Sequence, residues 1–468
     1  MSEQTIDNKQ LPVDARAALG KNLRKQVSRR SHGDWVPAPD RPDPLSLLQA
    51  QDKGRLQHLL PIKYGRMLAS PFAFLRGSAV VMAADLAASP VTGLQVILCG
   101  DAHLANFGLF ATPERNLVFD INDFDEAYPG PWEWDLKRLA ASAVVAGREN
   151  GFKEKVCRGL ATVVSRAYRE AMQRFAEAAI LDVWYYHVDA ASVLEVFDKY
   201  ARKSARDASK TVSKADARTS ARTLEKLTEL VDGKRQIVNN PPLIERLSDL
   251  LTEAQKQQIT EQDVKRIWSE YINSLPEERR WLLARFRITD VALRVGGVGS
   301  VGTRCTISLL EGDAEHDAII LQQKEAGPSA LEGYLPKYNF ANQAQRVVMA
   351  QRLMQAASDI FLGWIQSTST GTTYYWRQLK DKKGSFDVSK LDDRGLATYL
   401  GVCAVCLARA HARSGGDGAA ISGYLGSGTV FDEAISRFAV AYADQTEQDY
   451  QALVAAVNAG RIVAETGI

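Results

Sequence analysis

Between residues 288 and 323 the chain leaves helical spacing behind, and this change constrains the fold more than any other feature. The segment ITDVALRVGGVGSVGTRCTISLLEGDAEHDAIILQQ sets β-branched and apolar runs between turn residues. That pattern predicts three consecutive antiparallel strands. A helical pattern follows in ANQAQRVVMAQRLMQAASD, then a further strand in TTYYWRQL. Residues 136–285 and the stretch from about 392 to the end read as mostly helical, since apolar residues recur there at helical intervals. Segregated helices and strands predict an α+β fold. A chain of 468 residues has room for roughly two to four domain-sized units. The composition shifts suggest an N-terminal arm (1–45), two mainly helical parts (46–150 and 151–285), a β-rich part (286–385) and a C-terminal helical part (386–468).

Chemistry-bearing residues concentrate in CGDAHLANFGLFATPERNLVFDINDFDEAYPGPWEWDL, Cys99 to Leu136. Asp101 follows the short apolar run LQVIL and a glycine, and Asn106 lies five residues on. One carboxylate to orient an attacking hydroxyl, and carboxylate and amide oxygens to hold magnesium, are what phosphoryl transfer requires. A second acid should then come from the end of a nearby strand. Leu117, Val118 and Phe119 supply the strand; Asp120, Asp123, Asp125 and Glu126 follow it. The competing reading makes these acids turn and capping residues around a buried hairpin.

The string G-D-A-H-L-A-N resembles the catalytic loop of aminoglycoside and choline phosphotransferases, within the protein-kinase-like superfamily. The resemblance implies Asp101 as catalytic base, His103 as the loop histidine, and Asn106, Asp123 and Asp125 around magnesium. Asp135-Leu136 matches the pair that opens the next helix, and its acid would hold the catalytic loop by hydrogen bonds. Cys99 departs from the family, where histidine usually precedes Gly-Asp. His32-Gly33-Asp34 spells the same triplet, but Pro39 stands where the asparagine should be. The longer string also resembles an uncharacterised bacterial family, a domain of unknown function, over most of the chain.

Ordinary kinases place a glycine-rich hairpin, a strand lysine and a helix glutamate before the catalytic loop. Here those parts read downstream. Gly297, Gly299 and Gly302 fit G-x-G-x-x-G between two strand patterns; glycines let a backbone close over phosphates without a Cβ in the way. A dinucleotide-binding version would need a helix directly after the glycines, and a strand follows instead. A plain glycine turn is the competing reading. Lys324 ends AIILQQKEA, the strand position of a phosphate-pairing lysine, or of a solvated one. Glu332 is its expected acidic partner and Glu325 the alternative; the helix that follows has no acid. TTYYWRQL with KDKKG resembles the last strand and hinge of a small lobe, and LARAHARSGG the helix that leads into a catalytic loop. The expectation is therefore a kinase-like two-lobe fold, circularly permuted, with a β-rich small lobe and a mostly helical large lobe, binding ATP and Mg2+.

Three functions are compatible with these residues. One is a phosphotransferase acting on a hydroxyl of a small molecule or protein. The second is a kinase-like nucleotidyl transferase or a non-catalytic nucleotide binder. The third is a metal-dependent hydrolase built on Asp120, Asp123 and Asp125. Trp132, Glu133 and Trp134 could line an acceptor pocket or belong to the core. A net charge of +2 predicts neither nucleic acid nor membrane as a partner. Cys403 and Cys406 form the single C-x-x-C, within a helical pattern, and read as core residues because no second Cys/His pair completes a zinc site. The polar patch at 201–227 reads as a solvated helix or loop. Without an apolar leader at the N-terminus or a run of about eighteen apolar residues, the expected location is cytoplasmic.

Overall fold

The computed structural model describes residues 11–252, 261–314, 317–367, 370–379 and 382–467. The N-terminal arm carries α1 (Val13–Leu23), which lies on the C-terminal helices. Arg16 Nη1 meets Asp417 Oδ1 at 2.9 Å, and Arg24 Nε donates to the Tyr424 carbonyl at 2.8 Å. Four short helices follow: α2 (Pro44–Asp52), α3 (Leu60–Met67), α4 (Pro71–Gly77) and α5 (Ala79–Ala87). Their starts are written locally. Asp43 accepts from Ser46 N at 2.8 Å ahead of Pro44, and Ser70 from Ala73 N at 3.1 Å ahead of Pro71. Each pairs an N-cap side chain with a proline in the first turn.

Two antiparallel pairs come next. β1 (Gln95–Leu98) pairs with β4 (Tyr128–Pro131), and β2 (Phe107–Ala111) with β3 (Leu117–Ile121). The long helices α6 (Glu133–Glu149) and α7 (Glu154–Glu177) then enter the main core. Trp132 is completely buried and stacks on Tyr168 at 5.6 Å. Glu133 and Trp134 are buried too, so this stretch is core and not an acceptor pocket.

The region read as helical, 151–285, also contains strands. β5 (Val188–Asp189) extends β3, and α8 (Arg202–Asp216) and α9 (Ser220–Leu227) follow. The polar patch is thus helical, with Ser204, Ala208 and Ala215 turned inward. β6 (Thr228–Val231) and β7 (Lys234–Ile237) form a hairpin whose Asp232-Gly233 turn has φ of 50° and 74°. Asp-Gly suits a turn in which both central residues have positive φ.

β8 (Ile244–Arg246), β9 (Arg287–Arg294), β10 (Cys305–Glu311), β11 (Ala318–Ala326), β12 (Gly363–Gln366) and β13 (Thr373–Gln378) build one antiparallel sheet, in the order β12-β13-β11-β10-β9-β8. The three strands predicted between 288 and 323 are β9, β10 and β11. Two residues of the acidic turn between β10 and β11, 315 and 316, lie outside the described set, as do 380 and 381 after β13. Alternation along the strands gives the sheet two apolar faces. Ile307, Leu309 and Ile320 pack with Leu224 on one, and Leu310, Leu321 and Trp376 with Tyr271 on the other. Helix α10 (Gln343–Met354), capped by Asn342, joins the sheet to the main core through Val347, Val348 and Met354.

The chain ends in α11 (Asp393–Arg413), α12 (Gly418–Leu425) and α13 (Val430–Asn458). Cys403 and Cys406 are buried free thiols on α11, as their apolar setting predicted. By length and composition α11 could cross a membrane, yet 72% of its most apolar window is buried within the protein. The architecture is mixed α+β, with one six-stranded sheet and three smaller ones.

Candidate functional site

The loop between β1 and β2 is held from below by two helices. At the start of α6, Asp135 accepts from Cys99 N–H at 2.6 Å and Gly100 N–H at 3.0 Å, and meets His411 Nε2 of α11 at 3.2 Å. Ser142 Oγ accepts from Leu104 N at 3.0 Å, and Tyr399 donates to the Leu104 carbonyl at 2.8 Å. Gly100 has φ +81°, and a Cβ there would stand 2.1 Å from the Glu126 carbonyl oxygen. No other residue lets the two acidic loops approach this closely.

On this platform Asp101 faces a cavity of about 1020 Å³. Arg138 grips its Oδ1 through Nε at 2.6 Å and Nη2 at 2.5 Å. Its Oδ2 lies 3.6 Å from His103 Nε2. Burial pulls the His103 pKa down to about 4, against the opposing pull of Asp101, so the ring is neutral at pH 7. Asn106 is spent on backbone: Nδ2 donates to the Asp101 and Asp123 carbonyls at 3.1 and 3.0 Å, and Oδ1 accepts from Asp123 N–H at 2.9 Å. The side chain thus sews the Asp101 loop to the Asp123 loop.

Asp123 lies where this cavity adjoins a second one of about 470 Å³. Gly297, Ser300 and Lys383 line both. Asp123 Oδ1 is closed off and has no hydrogen-bond partner among the described residues. Confinement pushes the Asp123 pKa up, but Lys324, Arg377 and Lys383 together outweigh it and hold the group well below the usual carboxylate range. Asp125 is committed to a cation and a phenol. Lys324 Nζ reaches its Oδ2 at 2.5 Å, and Tyr375 donates to its Oδ1 at 2.6 Å. Lys324 stays charged, because burial opposes protonation less than Asp123 and Asp125 favour it.

The sheet register explains this cluster. Lys324 on β11 stands opposite Tyr375 on β13, and Gln322 opposite Arg377. Residues two apart share a face, so this face of the sheet presents lysine, tyrosine and arginine to the acidic loop.

Glu332 is not the partner of Lys324. It accepts from Gln343 Nε2 at 3.1 Å, while Glu325 pairs with Arg304 at 3.2 Å. The lysine's acids come from the Asp123–Asp125 loop instead. Helix α10, which has no acid, contributes a base: Arg346 donates to the Asp125 and Gly327 carbonyls, both at 2.9 Å. Asp120 stands apart from the site. It is buried, paired with Arg409, and accepts from Ala356 N at 2.8 Å. It joins no metal cluster with Asp123 and Asp125, and no group of three or more His, Cys, Asp or Glu suited to a metal occurs among the described residues.

The glycine motif forms a single 3-10 turn, Val298–Ser300, between β9 and β10. Gly297 and Gly299 line the larger cavity opposite Asp101. Gly302, at φ +87°, serves the other side: its carbonyl accepts from Leu56 N at 2.7 Å. Arg66 and Arg55 hold the Gly296 and Val301 carbonyls, both at 2.5 Å, and Val298 and Val301 are buried. The turn is therefore anchored to the segment around α2 and α3, and is not a freely hanging lid.

Arg138, Tyr375, Arg377 and Arg346 escaped the sequence reading. A signal existed for two of them: Arg138 lies one turn after Asp135 on a helix, and Tyr375 alternates with Arg377 on a predicted strand. Arg346 had none, since only packing places α10 beside the acidic loop.

Fold and site together define a mixed α+β protein with a cleft of paired carboxylates, lysine and arginine between a six-stranded sheet and a helical body. A family model described as an uncharacterized protein conserved in bacteria (DUF2252) matches residues 55–456, and the chain belongs to that family. No curated protein and no solved structure matches the chain.

Proposed function

We propose that this protein is an ATP- and magnesium-dependent phosphotransferase with a circularly permuted, kinase-like arrangement, acting on a hydroxyl of a small molecule or protein. One observation carries the reading. Asp123 sits at the junction of two cavities, one holding Lys324 and Arg377, the other Asp101 and His103. Phosphoryl transfer needs this division, with cations around the phosphates on one side and a carboxylate for the acceptor on the other. The permutation has its own support. Helix α11 ends beside the strand entering the Asp101 loop, with Ser414 Oγ donating to the Ile97 carbonyl at 3.4 Å.

Support for the cofactor pair comes from Asp123 and the cations beside it. The unpartnered Asp123 Oδ1 is the oxygen to hold magnesium, whose role is to neutralise phosphate charge. Asn106 contributes by fixing the Asp123 backbone, and Asp125 by fixing Lys324. Lys324, Arg377 and the turn at Gly297–Ser300 hold the phosphates. Arg138 fixes Asp101 through Oδ1, leaving Oδ2 to accept the hydrogen bond and then the proton of the attacking hydroxyl. Positioning and charge neutralisation do most of such catalysis.

The missing helix glutamate favours a second reading, a nucleotidyl transferase or a silent nucleotide binder. Incubation with ATP labelled separately at the γ- and α-phosphates distinguishes them. Label from γ should reach an acceptor, Asp101→Ala and Asp123→Ala should each abolish transfer with the fold intact, and turnover by purified Asp123→Ala overturns the proposal. Transfer of α label instead assigns the second reading.

A further inference from the structure

Cations and acids alternate around the larger cavity, but almost all are already spoken for. Asp125 is held by Lys324, and Glu325 by Arg304. Glu126 accepts from Ala330 N at 2.5 Å, and Asp101 Oδ1 is gripped by Arg138. Arg55 is committed to Asp52 and the Val301 carbonyl, and Arg218 donates to the Lys383 carbonyl at 3.2 Å. Among the arginines lining it, Arg76 is the exception. It lines the same cavity as Asp101 and His103, its Nε is buried without a hydrogen-bond partner, and it forms no ion pair among the described residues.

Its position adds to this. Arg76 is the penultimate residue of α4, and its carbonyl oxygen lies 3.6 Å from where a Gly299 Cβ would stand. The residue therefore stands between the Asp101 loop and the glycine turn. Burial pulls its pKa down, with Asp101 and Glu149 acting the other way. A guanidinium N–H closed off from water without an acceptor, as the Arg76 Nε–H is, is costly unless an anion completes it. Its flat fork of N–H groups matches carboxylate and phosphate.

We infer that the acceptor is a small hydroxyl compound bearing a carboxylate or phosphate, and that Arg76 binds this anionic group beside Asp101. The inference rests on the phosphotransferase reading and gives it a substrate class. It also sets this site apart from one built for a cationic acceptor such as choline, which an arginine beside the acceptor hydroxyl would repel.

Calorimetry on the full chain tests it, with inorganic phosphate, glycerol 3-phosphate, glycerate and choline as probes, each with and without saturating AMP-PNP and magnesium. The expected result is binding of glycerol 3-phosphate or glycerate to the nucleotide-loaded protein and none of choline. Arg76→Gln should weaken that binding tenfold or more, Arg76→Lys should retain most of it, and AMP-PNP affinity and Tm should be unchanged in both. The inference is overturned if none of the anions binds, if Arg76→Gln binds them as the wild type does, if choline is preferred, or if Arg76→Gln loses AMP-PNP to the same degree. Failure of AMP-PNP to bind at all removes the phosphotransferase reading and leaves the anion subsite to be judged by the inorganic phosphate arm. Sensitivity of that arm to Arg76→Gln would then keep the subsite alone.

Discussion

Lys324 Nζ stands 2.5 Å from Asp125 Oδ2 and 3.5 Å from Asp123 Oδ2. The lysine lies near the end of β11 in the large sheet, and the acids lie in a loop about two hundred residues earlier, a separation of 199 to Asp125. The contact joins sheet and helical body at the point where their cavities meet, and its removal is the most direct probe of the site. Lys324→Met should lower the affinity for AMP-PNP and magnesium tenfold or more by calorimetry. It should also let the Asp123 pKa climb, since Lys324 is the largest of the cations that hold it down. An unchanged dissociation constant would remove the lysine from phosphate binding.

Gly100→Ala tests the approach of the two acidic loops. The residue has positive φ, and the added methyl would collide with the Glu126 backbone. Side chains at such positions strain the backbone, and here no flexible neighbour can give way. A loss of about 2 kcal/mol or more is expected, read as a fall in the urea midpoint. A midpoint equal to that of the wild type would mean that the loops separate at little cost.

Asp120 provides the contrast. Its carboxylate is buried with Arg409, so Asp120→Ala leaves a buried guanidinium without its counter-charge. The expected cost is about 3–5 kcal/mol. Folded Asp120→Ala protein should still bind AMP-PNP with magnesium, because Asp120 lines neither cavity. Loss of magnesium-dependent binding with stability intact would revive the hydrolase reading, in which Asp120 is a metal ligand.

His32 predicts how the fold responds to acid. The ring is buried, its Nε2 lies 2.7 Å from the Tyr424 hydroxyl, and its Nδ1 has no partner among the described residues. Burial, helped by Lys137, lowers its pKa from 6.5 to about 3. Below pH 6.5 the unfolded chain therefore takes up a proton that the folded chain refuses. Stability from this residue is complete above pH 6.5 and is lost as pH falls toward 3, at no more than about 1.4 kcal/mol per pH unit. Urea melts of wild type and His32→Phe between pH 7 and 4 should converge with acidification. Parallel profiles would show that the ring is protonated without penalty.

The parts of this protein written in local pattern could be read before any coordinates. The strands β9, β10 and β11, the acids around the Asp101 loop and the core placement of Cys403 and Cys406 follow from residue type and spacing, while the loop-holding role of Asp135 came from the resemblance of its Asp-Leu pair to the phosphotransferase one. Even the missed β6–β7 hairpin carried its signal in Asp232-Gly233. What sequence could not supply was partnership across distance. The kinase resemblance offered Glu332 to Lys324 as its helix glutamate, yet Asp125 holds the lysine. The hydrolase reading grouped Asp120, Asp123 and Asp125 as one metal cluster, though Arg409 takes the first and Lys324 the last. The sequence left Arg76 unmarked. Periodicity and turn chemistry act within a few residues and are legible in a string, whereas which charges neutralise one another depends on which elements pack together, and only the tertiary structure decides that.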